Sequence, residues 1–139
     1  MKKAISELVF LFLIIVFPLK ASAVDDARLL RFPDINKDLI AFVYAGDIWT
    51  VSSSGGEARR LTSHPGLELF PKISPDGKWI AFSGEYSGSR QVFVIPSTGG
   101  VPRQLTWYNS VGDMPPRGGW DDVVLDWTPD SKQILIRAN

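Results

Sequence analysis

Hydrophobic positions along this chain fall into two regimes. Leu8 to Leu19 is one continuous apolar stretch, whereas from Arg31 onward short apolar runs alternate with clusters of Gly, Pro, Ser and Asp. Short runs bounded by such turn residues predict strands rather than helices. The runs also recur. Phe32-Pro33-Asp34-Ile35, Ile40-Ala41-Phe42, Asp47-Ile48-Trp49-Thr50-Val51, Gly55-Gly56-Glu57 and Arg59-Arg60-Leu61-Thr62 form a first set. They return as Phe70-Pro71-Lys72-Ile73, Ile80-Ala81-Phe82, Gln91-Val92-Phe93-Val94-Ile95, Gly99-Gly100-Val101 and Arg103-Gln104-Leu105-Thr106. The offset grows from 40 residues at Ile40 and Ile80 to 44 at Val51 and Ile95, because Gly84 to Arg90 replaces the two-residue turn Ala45-Gly46. Added length at a turn is cheap, and a period near 40 residues marks repeat architecture.

Each copy reads as four antiparallel strands. Ser74-Pro75-Asp76-Gly77-Lys78 joins the first two, with proline presetting φ, Asp bonding its own backbone and Gly taking the left-handed corner. A third copy begins with Thr128-Pro129-Asp130-Ser131-Lys132, where Ser131 must take the same corner at a higher cost. The first copy is two residues shorter at this place, with only Asn36-Lys37-Asp38-Leu39 between Ile35 and Ile40, predicting a tighter or irregular hairpin. Gly55-Gly56 and Gly99-Gly100 supply positive φ between the third and fourth strands. A four-stranded meander repeated at this spacing predicts an all-β partial β-propeller of about two and a half blades, at about 29–62, 69–106 and 123–139. A β-sandwich accounts for the strands but not for their repetition. The third blade is expected to be truncated, and the chain to be the amino-terminal piece of a longer protein.

Charge and composition narrow the setting. Lys2 and Lys3, the apolar stretch, and Ala21-Ser22-Ala23 read as a signal peptide over residues 1–23, cut after Ala23. The stretch falls short of the roughly 20 residues a spanning helix needs, so a stable membrane anchor is not expected. The expected location is periplasmic or secreted. Loss of Lys2, Lys3, Lys20 and Glu7 leaves 12 basic and 14 acidic residues over 24–139. That balance gives no nucleic-acid footprint. Absence of cysteine removes disulfides and thiolate metal sites.

Candidate chemistry is sparse. His64 is the only histidine, it lies in the turn Thr62-Ser63-His64-Pro65-Gly66, and no G-x-S-x-G elbow occurs, so no catalytic residue is assigned. Asp121, Asp122 and Asp126 lack the spacing of a calcium loop, and no metal is expected. Arg59, Arg60, Arg103, Lys72 and Lys78 are dispersed among carboxylates and read as edge protection. The paired glycines precede strands rather than helices, so no cofactor is indicated. Residues 107–122 form an enlarged connection rich in Gly, Pro and aromatics, and Trp107, Tyr108, Arg117 and Trp120 are the candidate substrate-contact residues. The alternative for these aromatics is simple cover for a blade edge.

Ser74-Pro75-Asp76-Gly77-Lys78-Trp79-Ile80-Ala81-Phe82 resembles the blade repeat of TolB-like and tricorn propellers. Ala45-Gly46-Asp47-Ile48-Trp49, Arg60-Leu61-Thr62-Ser63-His64-Pro65-Gly66 and Pro115-Pro116-Arg117-Gly118-Gly119-Trp120-Asp121-Asp122-Val123 resemble the tricorn protease family in particular. The resemblance implies a large serine peptidase whose amino-terminal propellers admit or guide peptide or protein substrates toward a catalytic domain downstream. None of that family's catalytic residues can be placed on this sequence. The founding enzymes are intracellular, so the export signal points to exported bacterial relatives and leaves the oligomeric state open. The alternatives are a non-enzymatic, periplasmic TolB-like protein-binding propeller and a propeller preceding an α/β-hydrolase peptidase.

Overall fold

The structure, a computed structural model, describes residues 29–86, 88–107 and 122–138. The signal peptide expected over 1–23 lies outside them. The first sheet consists of β1 (Arg31–Asn36), β2 (Leu39–Tyr44), β3 (Asp47–Ser52) and β4 (Arg59–Arg60), neighbours in space as in sequence. The second repeats it with β5 (Glu68–Ile73), β6 (Trp79–Gly84), β7 (Gln91–Pro96) and β8 (Arg103–Gln104). A third holds β9 (Val123–Trp127) and β10 (Ile134–Arg137). Every pairing is antiparallel.

Strand alternation decides which side chains meet which sheet. Ala41 pairs with Thr50 and Val43 with Ile48, so these four share one face of the first sheet. That face packs against Ile80, Phe82, Phe93 and Ile95 of the second. The second sheet's other face, with Ala81 and Val92, meets Val124, Trp127, Ile134 and Ile136 of the third. Burial on both sides explains why β6 and β7 read as nearly unbroken apolar runs instead of alternating ones. Full burial of Ile80, Phe82 or Ile95 contributes about 1.5–3 kcal/mol each.

The sheets fan out from their first strands, with β1 beside β5 and β5 beside β9, while β4 and β8 are two-residue strands at the far edges. This is the arrangement of propeller blades around an axis. Polar links fasten the inner strands. Asp34 accepts a hydrogen bond from the Ile73 amide at 2.8 Å and pairs with Lys72 at 2.9 Å. Asn36 Nδ2 donates to the Ser74 carbonyl at 2.6 Å, and Trp127 Nε1 donates to the Lys72 carbonyl at 2.8 Å. Near the outer edge, Arg59 donates to the Thr98 and Ser97 carbonyls.

The turns follow their chemistry. Gly77 and Ser131 both take positive φ, +79° and +61°, and Asp76 and Asp130 accept the amides of Lys78 and Lys132. In the first blade Asn36 pairs with Leu39 across a two-residue turn, with Lys37 at φ +52°. A feature the apolar pattern does not announce is a register shift in β1 at Phe32-Pro33 and in β5 at Phe70-Pro71. Phe32 (φ +50°) and Phe70 (φ +56°) occupy the left-handed region, and their rings lie 4.5 Å apart. A bulge at that point tolerates the proline's missing N–H.

Candidate functional site

The connections at one end of the blades are knitted together by backbone bonds. The Glu68 amide donates to the Gly46 carbonyl at 2.8 Å, and the Glu85 amide donates to the Leu67 carbonyl at 3.0 Å. These bonds bring the β2–β3 turn, the β4–β5 link and the β6–β7 loop side by side. Gly66 passes so near the Glu85 carbonyl that an added Cβ would lie 2.0 Å from its oxygen.

A threonine closes each blade at this end. Thr62 Oγ1 accepts the Ile48 amide at 2.8 Å, and Thr106 Oγ1 accepts the Val92 amide at 2.9 Å. Each Thr carbonyl is held from two residues upstream, by Arg60 Nε in the first blade and Gln104 Nε2 in the second. The hydroxyl protons then diverge. Thr106 donates to Gln91 Oε1, whereas Thr62 donates to Glu68 Oε2.

Glu68 is fully buried at the start of the inner strand β5. Its other oxygen accepts the Tyr86 hydroxyl at 2.8 Å. Burial pushes this carboxyl above the usual glutamate range, with a smaller upward push from Asp47, against the opposing donation of Thr62 and Tyr86. Tyr86 is raised well above the ordinary phenol range by burial and by the adjacent carboxyl. Its ring packs on Phe93 and Phe82 and stacks on His64 at 4.0 Å. Asp47 pairs with Arg60 at 2.8 Å, and Glu85 pairs with Arg90.

Beside this knot lies an open recess of about 340 Å³ lined by Leu29, Phe32, Tyr44, Leu67 and Leu69, with Arg31 among its walls. Leu29, Leu67 and Tyr44 are exposed around it. The geometry suits contact with an apolar side chain.

The residues singled out from sequence are placed as follows. Trp107, directly after the threonine latch of the second blade, is 73% exposed. Tyr108, Arg117 and Trp120 lie outside the described residues, as does Asp121. His64 Nδ1 accepts the Gly66 amide at 3.0 Å and its ring lies on Tyr86, a structural placement that brings no serine to it among the described residues. Asp122 is buried with φ +51° and its carbonyl accepts the Ser83 hydroxyl, while Asp126 accepts the Trp127 amide. Glu68 and Tyr86 belong to no sequence motif quoted above. The one signal in sequence was an acidic residue inside the apolar run Leu67-Glu68-Leu69-Phe70.

A family model described as the tricorn protease N-terminal beta propeller domain matches residues 27–139. Tricorn protease homolog 1 of Streptomyces coelicolor is 31% identical over 107 residues, covering 77% of this chain and 9% of that protein. The Tol-Pal system protein TolB of Bordetella pertussis is 39% identical over 54 residues, 38% of this chain and 12% of that one. Among solved structures, the tricorn protease crystal structure superposes with a TM-score of 0.62 at 25% identity, over 78% of this chain and 10% of that chain. The chain thus spans about a tenth of the length of these relatives.

Proposed function

Since the chain belongs to the tricorn protease N-terminal β-propeller family, we propose that it supplies the opening blades of an exported, tricorn-like serine peptidase. In this reading the blades guide peptide or protein substrates and hold the scaffold, while the catalytic residues reside in another part of the full protein. The observation that carries it is the family match over nearly all of the chain after the apolar leader. Trp107, exposed at the loop end and leading into the 107–122 connection, is the described residue best placed to touch substrate, with Tyr108, Arg117 and Trp120 completing the proposed contact loop. The leader over residues 1–23 directs export, with cleavage after Ala23.

Three measurements test this. The 139-residue chain alone should not hydrolyse peptides, whereas the full-length gene product should and should be inactivated by a serine-directed phosphonate. Trp107→Ala in that full-length protein should raise KM for long peptides about 3–10-fold with kcat less affected, as expected for lost binding away from the reacting bond. A reporter fused behind residues 1–30 should leave the cytoplasm and begin at Val24, and cytoplasmic retention of an uncleaved fusion would reject export. A full-length product that binds another protein without peptidase activity would favour the TolB-like alternative, which the Bordetella match supports over its shorter span.

A further inference from the structure

The Glu68 carboxyl has no basic partner among the described residues. The nearby guanidinium, Arg60, is engaged by Asp47 at 2.8 Å, and Arg90 is engaged by Glu85. What holds Glu68 instead are two neutral hydroxyls from different elements, Thr62 at the end of the first blade and Tyr86 in the β6–β7 loop of the second. The carboxyl itself sits on β5, so one buried group ties three segments together. The same Thr62 oxygen accepts the Ile48 amide, which extends the chain of bonds into β3. At Thr106 the hydroxyl proton goes instead to the neutral amide Gln91 within its own blade.

We propose that Glu68 is a pH-sensitive latch joining the first blade to the loop end of the second, closed when its carboxyl is neutral and loosened when the proton leaves to water. Titratable and charged groups face it from every packed segment. Asp47 on β3 opposes its ionisation, and Arg60 on β4 pairs with Asp47. Tyr86 and Thr62 donate to its ionised form, the Tyr86 hydroxyl can turn to accept its proton when it is neutral, His64 stacks on the Tyr86 ring, and Glu85 pairs with Arg90. A buried carboxylate compensated by two hydroxyls and, more weakly, by the Ile48 amide, with no cation among the described residues, keeps much of its desolvation cost. Opening toward solvent relieves it.

The sign follows from the direction of the carboxyl's shift. Protonation is favoured in the closed state, so the latch is fully closed below the ordinary glutamate range and weakens as pH rises through the raised value. Closing or opening displaces Gly66, Leu67 and Tyr86 together, because Leu67 and Glu85 share a backbone bond. The recess lined by Leu67 and Gly46 therefore changes with the latch.

Hydrogen–deuterium exchange on the full-length gene product tests this, with protection factors, corrected for intrinsic rates, followed over 61–69 and 85–91 from about pH 4 to pH 8. In the unaltered protein, protection should fall with rising pH by about tenfold for each unit by which the carboxyl is raised. Glu68→Gln should abolish that dependence. Tyr86→Phe removes a donor that favours the carboxylate and should move the transition to higher pH. Flat protection in the unaltered protein, an unchanged dependence in E68Q, or an unmoved midpoint in Y86F would each overturn the latch. Should E68Q not fold, the Y86F midpoint decides.

Discussion

At the scale of single residues, two side chains explain what motif comparison only tabulates. Thr62 and Thr106 recur because each hydroxyl accepts an otherwise orphaned amide at the start of a third strand. Thr106→Val should lower stability by about 1–2 kcal/mol and Thr62→Val by more, since the latter also strips a donor from buried Glu68. Denaturant melts of the two variants check the ranking, and equal losses would contradict it. Ser131 shows a compensation. Its left-handed corner is unfavourable, yet its Oγ accepts the Asp76 amide of the neighbouring hairpin at 3.0 Å. Ser131→Ala keeps the strain and loses the bond, costing about 1 kcal/mol, whereas Ser131→Gly should be close to neutral. The position of the corner was legible from the repeat, but its partner, 55 residues away, was not.

Asp76 supplies the pH-dependent test at this scale. The Ser74 hydroxyl, and after it the Lys78 amide, hold its carboxyl below the ordinary aspartate range. Any stabilisation it gives is present above that range and is lost as pH falls through the lowered value. Ser74→Ala should return the Asp76 titration upward toward the ordinary aspartate range, read from carboxyl carbon shifts. A titration that does not move would mean the turn, rather than the hydroxyl, sets it.

At the scale of elements, the hairpins were the most legible part. Paired glycines and the Pro-Asp-Gly turn dictate backbone angles locally, so their positions follow from residue type alone. The knot at the loop end was not legible, because it joins Asp47, Thr62, Glu68 and Tyr86 from four segments whose approach depends on how blades stack. Gly66 marks that approach. Gly66→Ala sets a methyl against the Glu85 carbonyl and should cost about 1–3 kcal/mol, with exchange rising first in the β4–β5 link. A variant with unchanged melting and exchange would show that the link has room to move.

At the scale of the molecule, repetition carried most of the information. Two near-identical units cannot each bury both sheet faces alone, and stacking them leaves the middle blade enclosed, as Ile80, Ala81 and Phe82 show. The all-β propeller fold was therefore readable before any contact was known. Function was less so, because Tyr108, Arg117 and Trp120 belong to a connection with no counterpart in the first blade, where repeat logic offers no template.

The paired bulges at Phe32 and Phe70 carry one more consequence. Each lies in the strand nearest the axis, at matching heights, with one ring resting on the other. As paired rings wedged between the first strands of consecutive blades, they would bear on the angle between those blades. In a ring, an angular error in one wedge is added to all that follow. Trimming Phe70 would thus be felt most where the circle has to close on itself, far from the residue that was changed.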